Sequence, residues 1–268
     1  GNTVTAPTLT KEGWTFNGWV DGDGKLVYRP GVTFSASKDL TLYASWTQNE
    51  YRIIYMVNSD KVHESGVKHF GDNISDNDKY TDIPELTGHT FGGWYDNSGC
   101  TGDEYTYPDT MPASNIVLYA KMTPNTYKAT FYVDGERYAE KDVTYGQPIP
   151  KPADPSKAGY NFTGWDTDLT QMPAENITIN AKFSAINFAV TLMVNGADWR
   201  TVEGPCGADI NSYIGAFVPE HEGYTFTGWD GIPADGLMPA GNIELNAKFV
   251  INTYTITVHG RINDLETY

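Results

Sequence analysis

The sequence predicts an α+β, strand-dominated fold, built as tandem small repeats in an elongated array. Three observations predict it. The segment Gly-x-x-Phe-x-Gly-Trp occurs four times, as GWTFNGWV (Gly13 to Val20), GHTFGGWY (Gly88 to Tyr95), GYNFTGWD (Gly159 to Asp166) and GYTFTGWD (Gly223 to Asp230). A second block follows each copy: LTLYASW, MPASNIVLYAKM, MPAENITINAKF and MPAGNIELNAKF. A third follows in turn: NEYRIIYMV, NTYKATFYVDG, INFAVTLMVNG and NTYTITVHG. Blocks recurring in step over 60 to 76 residues are the signature of a repeat architecture.

The third block opens each repeat. Tyr127, Ala129, Phe131 and Val133 share one face of a period-two pattern, as do Phe188, Val190, Leu192 and Val194, so the block is a half-buried strand. Asp134-Gly135 and Asn195-Gly196 then read as hairpin turns, since these residues tolerate positive φ. Return strands follow through Ala139 to Tyr145 and around Thr201 to Val202. Next comes a polar or Pro-rich passage (Pro148, Pro150, Pro152, Pro155), which excludes a central strand. In the fourth repeat, Ile210, Tyr213, Ile214 and Phe217 have helical spacing, with Asp209 or Asn211 near the helix start. The Gly-Trp block is a further strand, whose alternation puts Tyr224, Phe226 and Gly228 opposite Thr225, Thr227 and Trp229. The second block closes the unit, with Ile177, Ile179, Ala181 and Phe183 inward.

Trp19, Trp94, Trp165 and Trp229 are separated by 75, 71 and 64 residues. The step from Ala44, Ala120, Ala181 or Ala247 to the next ring (Tyr51, Tyr127, Phe188, Tyr254) is always 7. Insertions therefore fall inside repeats and never at the junctions, where about 3–4 residues between strands are too few for a flexible linker. The expected organisation is residues 1–47 as the latter part of a repeat, 48–123, 124–184 and 185–249 as full repeats, and 250–268 as the start of another. The chain then reads as part of a longer array, with targeting and anchoring signals outside it.

At these motifs the sequence resembles the Listeria–Bacteroides repeat family, the B-repeat of internalin-type bacterial surface proteins. The resemblance rests on NTYKATFYVDG, SKAGYNFTGWD and MPAENITINAKF. It implies a β-grasp-like (ubiquitin/SUMO-like) fold for each unit and an extracellular location at the bacterial cell surface or cell wall. The second repeat departs from the pattern: its Ser59 to Leu86 stretch is long and lacks the Asp-Gly turn.

The net charge of −16 argues against nucleic acid and against anionic membrane or wall polymers as partners. No run of about 18 apolar residues is present, so no membrane insertion is expected within these residues. Units of 60–75 residues lie near the lower limit for an independent core, and large rings compensate, each burying about 150–250 Å². The structural core is therefore expected at Trp19, Trp94, Trp165, Trp229, Phe16, Phe91, Phe162 and Phe226. A carbohydrate platform on the same tryptophans is the competing reading.

The Asp21 to Lys25 stretch, DGDGK, reads as a hairpin turn, because an EF-hand needs a bidentate Glu at its twelfth position. Asp72, Asp76, Asn77 and Asp78 read as a solvated loop, and Cys100 and Cys206 fall in different repeats and are expected not to pair. No catalytic constellation, metal set or cofactor motif recurs, so no catalytic, cofactor or metal residue is expected and the chain is read as non-enzymatic.

The expected role is a semi-rigid stalk or spacer of a bacterial surface protein, with weak adhesion as an added role and other domains of that protein as its partners. The alternative is a binding module for a host protein or glycan through the variable loops 59–86 and 95–109. Head-to-tail self-association is a further expectation: residues 250–268 supply an opening hairpin and residues 1–47 lack one.

Overall fold

The computed structural model describes residues 3–259, so 260–268 of the expected terminal segment lie outside the described residues. Strands dominate. Among the described residues the helical content is a four-residue helix, Asn211–Ile214, and a single 3-10 turn, Asp76–Asp78. The chain divides into two compact units, one of residues 1–127, 142–147 and 171–175, the other of 128–141, 148–170 and 176–268.

Three four-stranded sheets share one topology. The second repeat uses a first strand Ile53–Val57, a return strand Asp60–Glu64, a Gly-Trp strand His89–Tyr95 and a closing strand Ile116–Pro124. The corresponding strands are Thr126–Val133, Glu136–Thr144, Tyr160–Trp165 and Ile177–Ala185 in the third repeat. In the fourth they are Asn187–Val194, Ala197–Pro205, Tyr224–Asp230 and Ile243–Ile251. In each sheet the order is return, first, closing, Gly-Trp. First and closing strands run parallel (Ile53 opposite Ile116, Ala129 opposite Ile177, Val190 opposite Ile243), and the Gly-Trp strand runs antiparallel to the closing strand.

The hairpin turns form where Asp134-Gly135 and Asn195-Gly196 place them, all four residues at positive φ. The second repeat also makes its hairpin, without Asp-Gly: Asn58 adopts φ 55° and Val57 pairs with Asp60. The first repeat has a three-stranded sheet of Trp14–Val20, Leu26–Tyr28 and Tyr43–Gln48, beside a small ribbon of Thr3–Thr5 and Thr33–Ser35.

The strand-face expectation for the Gly-Trp block is corrected. Each Gly-Trp strand carries a bulge, so two of its residues face one residue of the closing strand; Thr227 and Gly228, for example, face Lys248. Gly18, Gly93, Gly164 and Gly228 take φ between 102° and 134° there. A bulge reverses the alternation beyond it. Phe226 and Trp229, three apart, therefore lie on one face instead of two, with ring centroids 5.2 Å apart.

Each core sits on the face so formed. Val190, Leu192, Ile210, Ile214, Met238 and Leu245 are buried together in the fourth repeat, with Trp229 packed against them. Ile53, Tyr55, Trp94, Met111 and Leu118 do the same in the second. The short helix contributes Ile210 and Ile214, and the Asp209 carboxylate accepts the Asn211 N–H at its start.

Candidate functional site

The recurrent feature of this chain is a ring pair on each bulged strand and a backbone relay at each repeat junction. Phe16–Trp19, Phe91–Trp94, Phe162–Trp165 and Phe226–Trp229 meet edge to face at 5.6, 5.3, 5.4 and 5.2 Å. The bulge sets each indole opposite an alanine: Trp19 opposite Ala44, Trp94 opposite Ala120, Trp165 opposite Ala181 and Trp229 opposite Ala247. A methyl leaves room for the indole where a longer side chain collides, because directly opposed Cβ atoms lie about 4.5–5.5 Å apart. Trp94 and Trp165 are buried; Trp19, Trp229 and the four Phe are partly buried.

Neighbouring rings cover the indoles. Tyr55 lies 4.9 Å from Trp94, Phe131 4.9 Å from Trp165, and Trp199 stacks on Trp229 at 6.0 Å. Sugar stacking needs an open ring face, which the buried pair do not offer. The Trp19 indole N–H donates to the Pro7 carbonyl at 2.8 Å. The Trp165 and Trp229 indole N–H groups are buried with no acceptor among the described residues.

The junctions are tighter than the spacing suggests. A single residue, Asn125 or Ile186, separates the closing strand of one repeat from the first strand of the next. The backbone N–H of Asn49, Asn125, Ile186 and Asn252 donates to the carbonyl of Gly13, Gly88, Gly159 and Gly223 at 2.8–2.9 Å. Tyr145 N–H donates to the Asn125 carbonyl, and Cys206 N–H to that of Ile186. Gly71, Gly146 and Gly207 then donate to the carbonyls of Met111, Met172 and Met238, which explains the position of the Met-Pro-Ala motif.

Side chains reinforce three of these junctions. The hydroxyls of Thr15, Thr90 and Thr225 donate to the Oδ1 of Asn49, Asn125 and Asn252 at 2.6 Å. The Asn amides in turn reach the hydroxyls of Tyr51, Tyr127 and Tyr254.

Sequence reasoning missed the residues that plug three of the junctions. A Cβ on Gly13 would run into Phe70, one on Gly88 into the Tyr145 ring, and one on Gly159 into the Cys206 sulfur. All three glycines also have positive φ, near 75°, so only glycine suits them. The signal was present: Phe70, Tyr145 and Cys206 each immediately precede a glycine at positive φ, Gly71, Gly146 and Gly207. Cys206 thus fills a ring position, and both Cys100 and Cys206 are free thiols.

The variable loops of the second repeat are ordered by their own polar contacts. Asp78 pairs with Lys68 at 2.8 Å, Asp76 with Lys79 at 2.8 Å, and an Asp72 carboxylate oxygen accepts the His69 N–H at 2.7 Å. Partial burial works against the Asp78 charge, but hydrogen bonds from Lys68 and Ser75 outweigh it and hold the carboxyl below its usual range. Each carboxylate serves a different partner, and among the described residues no three His, Cys, Asp or Glu gather as a metal set.

Tyr107 bonds Tyr55 hydroxyl to hydroxyl at 2.9 Å; burial, then that bond, push its phenol up. Asp21 accepts from the N–H of Asp23 and Lys25, as a turn aspartate does. A cleft of about 330 Å³ lies between Ser98–Cys100 and residues 119–124 of the closing strand. No helix among the described residues is long and apolar enough to cross a membrane.

The family model of the Listeria-Bacteroides repeat domain matches residues 1–45, 51–121 and 127–185. A Gly-rich membrane protein of Evansella cellulosilytica is 29 % identical over 93 % of this chain and 30 % of its own length. A membrane protein of the same organism is 28 % identical over 82 % of the chain and 34 % of its length. Internalin H of Listeria monocytogenes is 43 % identical over 38 % of the chain and 20 % of its length. The chain thus spans about a third or less of these relatives.

Proposed function

The chain belongs to the Listeria-Bacteroides repeat domain family, and from that premise we propose that it is a non-catalytic, semi-rigid stalk or spacer of a bacterial surface protein, with weak adhesion as an added role. One observation carries the reading. The glycine-to-backbone relay recurs at four junctions, and at three of them, Gly13, Gly88 and Gly159, a single residue separates the strands and a side chain plugs the glycine. Extending a sheet edge through main-chain hydrogen bonds leaves little freedom to bend there, which is what a spacer needs. The relatives' names, an internalin and two membrane proteins, support a place at the bacterial surface or wall and name no enzyme.

The sheet order return, first, closing, Gly-Trp, with its central pair parallel, supports a β-grasp-like unit. At about 28 Å per unit, some four units would span on the order of 110 Å if arranged linearly. The Trp and Phe residues of the Gly-Trp blocks act as each unit's core, and other domains of the same protein are its partners.

A second reading, a binding module for a host protein or glycan through loops 59–86 and 95–109, is favoured by the cleft beside Ser98–Cys100. An array of glycans and host proteins separates the two. A spacer gives no saturable binding. Saturable binding that disappears when these loops are replaced by the shorter segments of the third repeat overturns the spacer reading in favour of the module.

A further inference from the structure

We infer that Asn195 of the fourth repeat is a site of spontaneous deamidation, and that the aspartate it becomes takes the buried ring nitrogen of His221 as its partner. The sequence holds two Asn-Gly pairs, Asn17-Gly18 and Asn195-Gly196. The folded chain treats them differently. Asn17 lies within the Gly-Trp strand Trp14–Val20, where Gly18 pairs with Ser45 and the Asn17 amide donates to the Thr47 hydroxyl at 2.8 Å. The ladder and that bond hold the carboxamide in place. Asn195 and Gly196 instead form the exposed turn between Val194 and Ala197, and the Asn195 carboxamide has no hydrogen-bond partner among the described residues. Asn58 sits in the equivalent turn of the second repeat, but Ser59 follows it and its Cβ hinders attack.

The step needs only water. The Gly196 backbone nitrogen, next to a carbon that carries no Cβ, attacks the side-chain carbonyl carbon of Asn195. A C–N bond forms there and the bond to Nδ2 breaks. The amide leaves as ammonia, taking the proton that the Gly196 nitrogen gives up. Water then opens the cyclic imide at one of its two carbonyls, giving aspartate or its iso form.

The third repeat shows what an aspartate does in this turn. Asp134-Gly135 occupies it at φ 49° and 86°, against 52° and 77° for Asn195-Gly196, so the backbone accepts either residue. The Asp134 carboxylate pairs with Lys157 Nζ at 2.8 Å. That ammonium lies 4.5 Å from the centre of the Tyr160 ring and 5.5 Å from that of Phe183. Two residues before the junction glycine, where the third repeat has Lys157, the fourth has His221. The His221 ring centre lies 4.4 Å from Tyr224 and 5.2 Å from Phe249, the counterparts of Tyr160 and Phe183. The imidazole thus occupies the seat of the ammonium, and its Nδ1 is buried without a hydrogen-bond partner among the described residues. A buried polar atom left unpaired is costly, and a carboxylate accepts a ring N–H more strongly than a neutral amide does. Deamidation puts that carboxylate at the position from which Asp134 reaches Lys157. The inference stands apart from the stalk reading, which makes no claim about covalent change.

The test incubates the purified chain, folded, at mildly alkaline pH and follows both Asn-Gly pairs by peptide mass spectrometry. The peptide holding Asn195 should gain the mass that separates an acid from an amide, and the peptide holding Asn17 should lag behind it. The pairing is read by a double-mutant cycle on urea midpoints. His221→Phe keeps a ring against Tyr224 and Phe249 and removes the nitrogen. Asn195→Asp should shift the midpoint of the fourth repeat upward in the wild-type background relative to the shift it gives in the His221→Phe background. An Asn195 that stays intact, or an Asn17 that converts as fast, overturns the modification site. An equal shift in the two backgrounds overturns the pairing with His221.

Discussion

At the scale of the residue, glycine and alanine set the geometry and the rings follow from it. Trp165 rests against Phe131 and Phe162, and in a unit this small no other ring replaces it. Trp165→Ala should cost about 3–5 kcal/mol, read as a lower urea midpoint for the third repeat; an unchanged midpoint would show that the indole is dispensable. The junction glycines permit a controlled comparison. Gly88 and Gly223 share a φ of 72–77°, but a Cβ on Gly88 meets Tyr145 while one on Gly223 meets nothing. Gly223→Ala should cost only the backbone strain, about 1 kcal/mol. Gly88→Ala should cost more, about 2–3 kcal/mol, and equal losses would remove the plug from the account. The motif glycines were legible as glycines. Their partners were not, because Phe70, Tyr145 and Cys206 lie 47 to 57 residues away and share no residue type.

At the scale of the element, the opening strands, hairpins and short helix were legible because each rests on local chemistry: period-two alternation, Asp-Gly or Asn-Gly turns, helical spacing in the fourth repeat. The facing of the Gly-Trp strand was not, because a bulge depends on what the partner strand leaves unpaired. Deleting Thr227 should remove the bulge, turn Trp229 to the opposite face and abolish cooperative unfolding of the fourth repeat. Retention of a native tryptophan emission spectrum would contradict this.

Carboxylates on or beside the strands contribute to acid sensitivity. The Lys128 hydrogen bond holds Glu140 below its usual range, the Asn180 amide does so for Asp166, and Lys248 for Asp230. A carboxyl whose pKa is lower in the folded chain contributes stability above its unfolded pKa, about 4, and loses it as pH falls through the folded value. Urea stability should hold from neutrality to about pH 5 and decline below about pH 4; a chain most stable at pH 3 would contradict the assignment.

At the scale of the whole molecule, the acidity of −16 and the small ring-filled cores suit an array that stays solvated while each unit folds on a minimal core. The acid is concentrated in the second and fourth repeats, where Asp72, Asp76, Asp78, Asp209 and Asp235 hold local hydrogen-bond or ion-pair partners. The central claim is that short, hydrogen-bonded junctions make the repeats a spacer. Small-angle X-ray scattering at low concentration tests it most directly. A linear, semi-rigid array predicts a maximum dimension on the order of 110 Å and a radius of gyration well above the compact-domain value. A radius of gyration near about 18 Å, that of a single compact 268-residue globule, would contradict it.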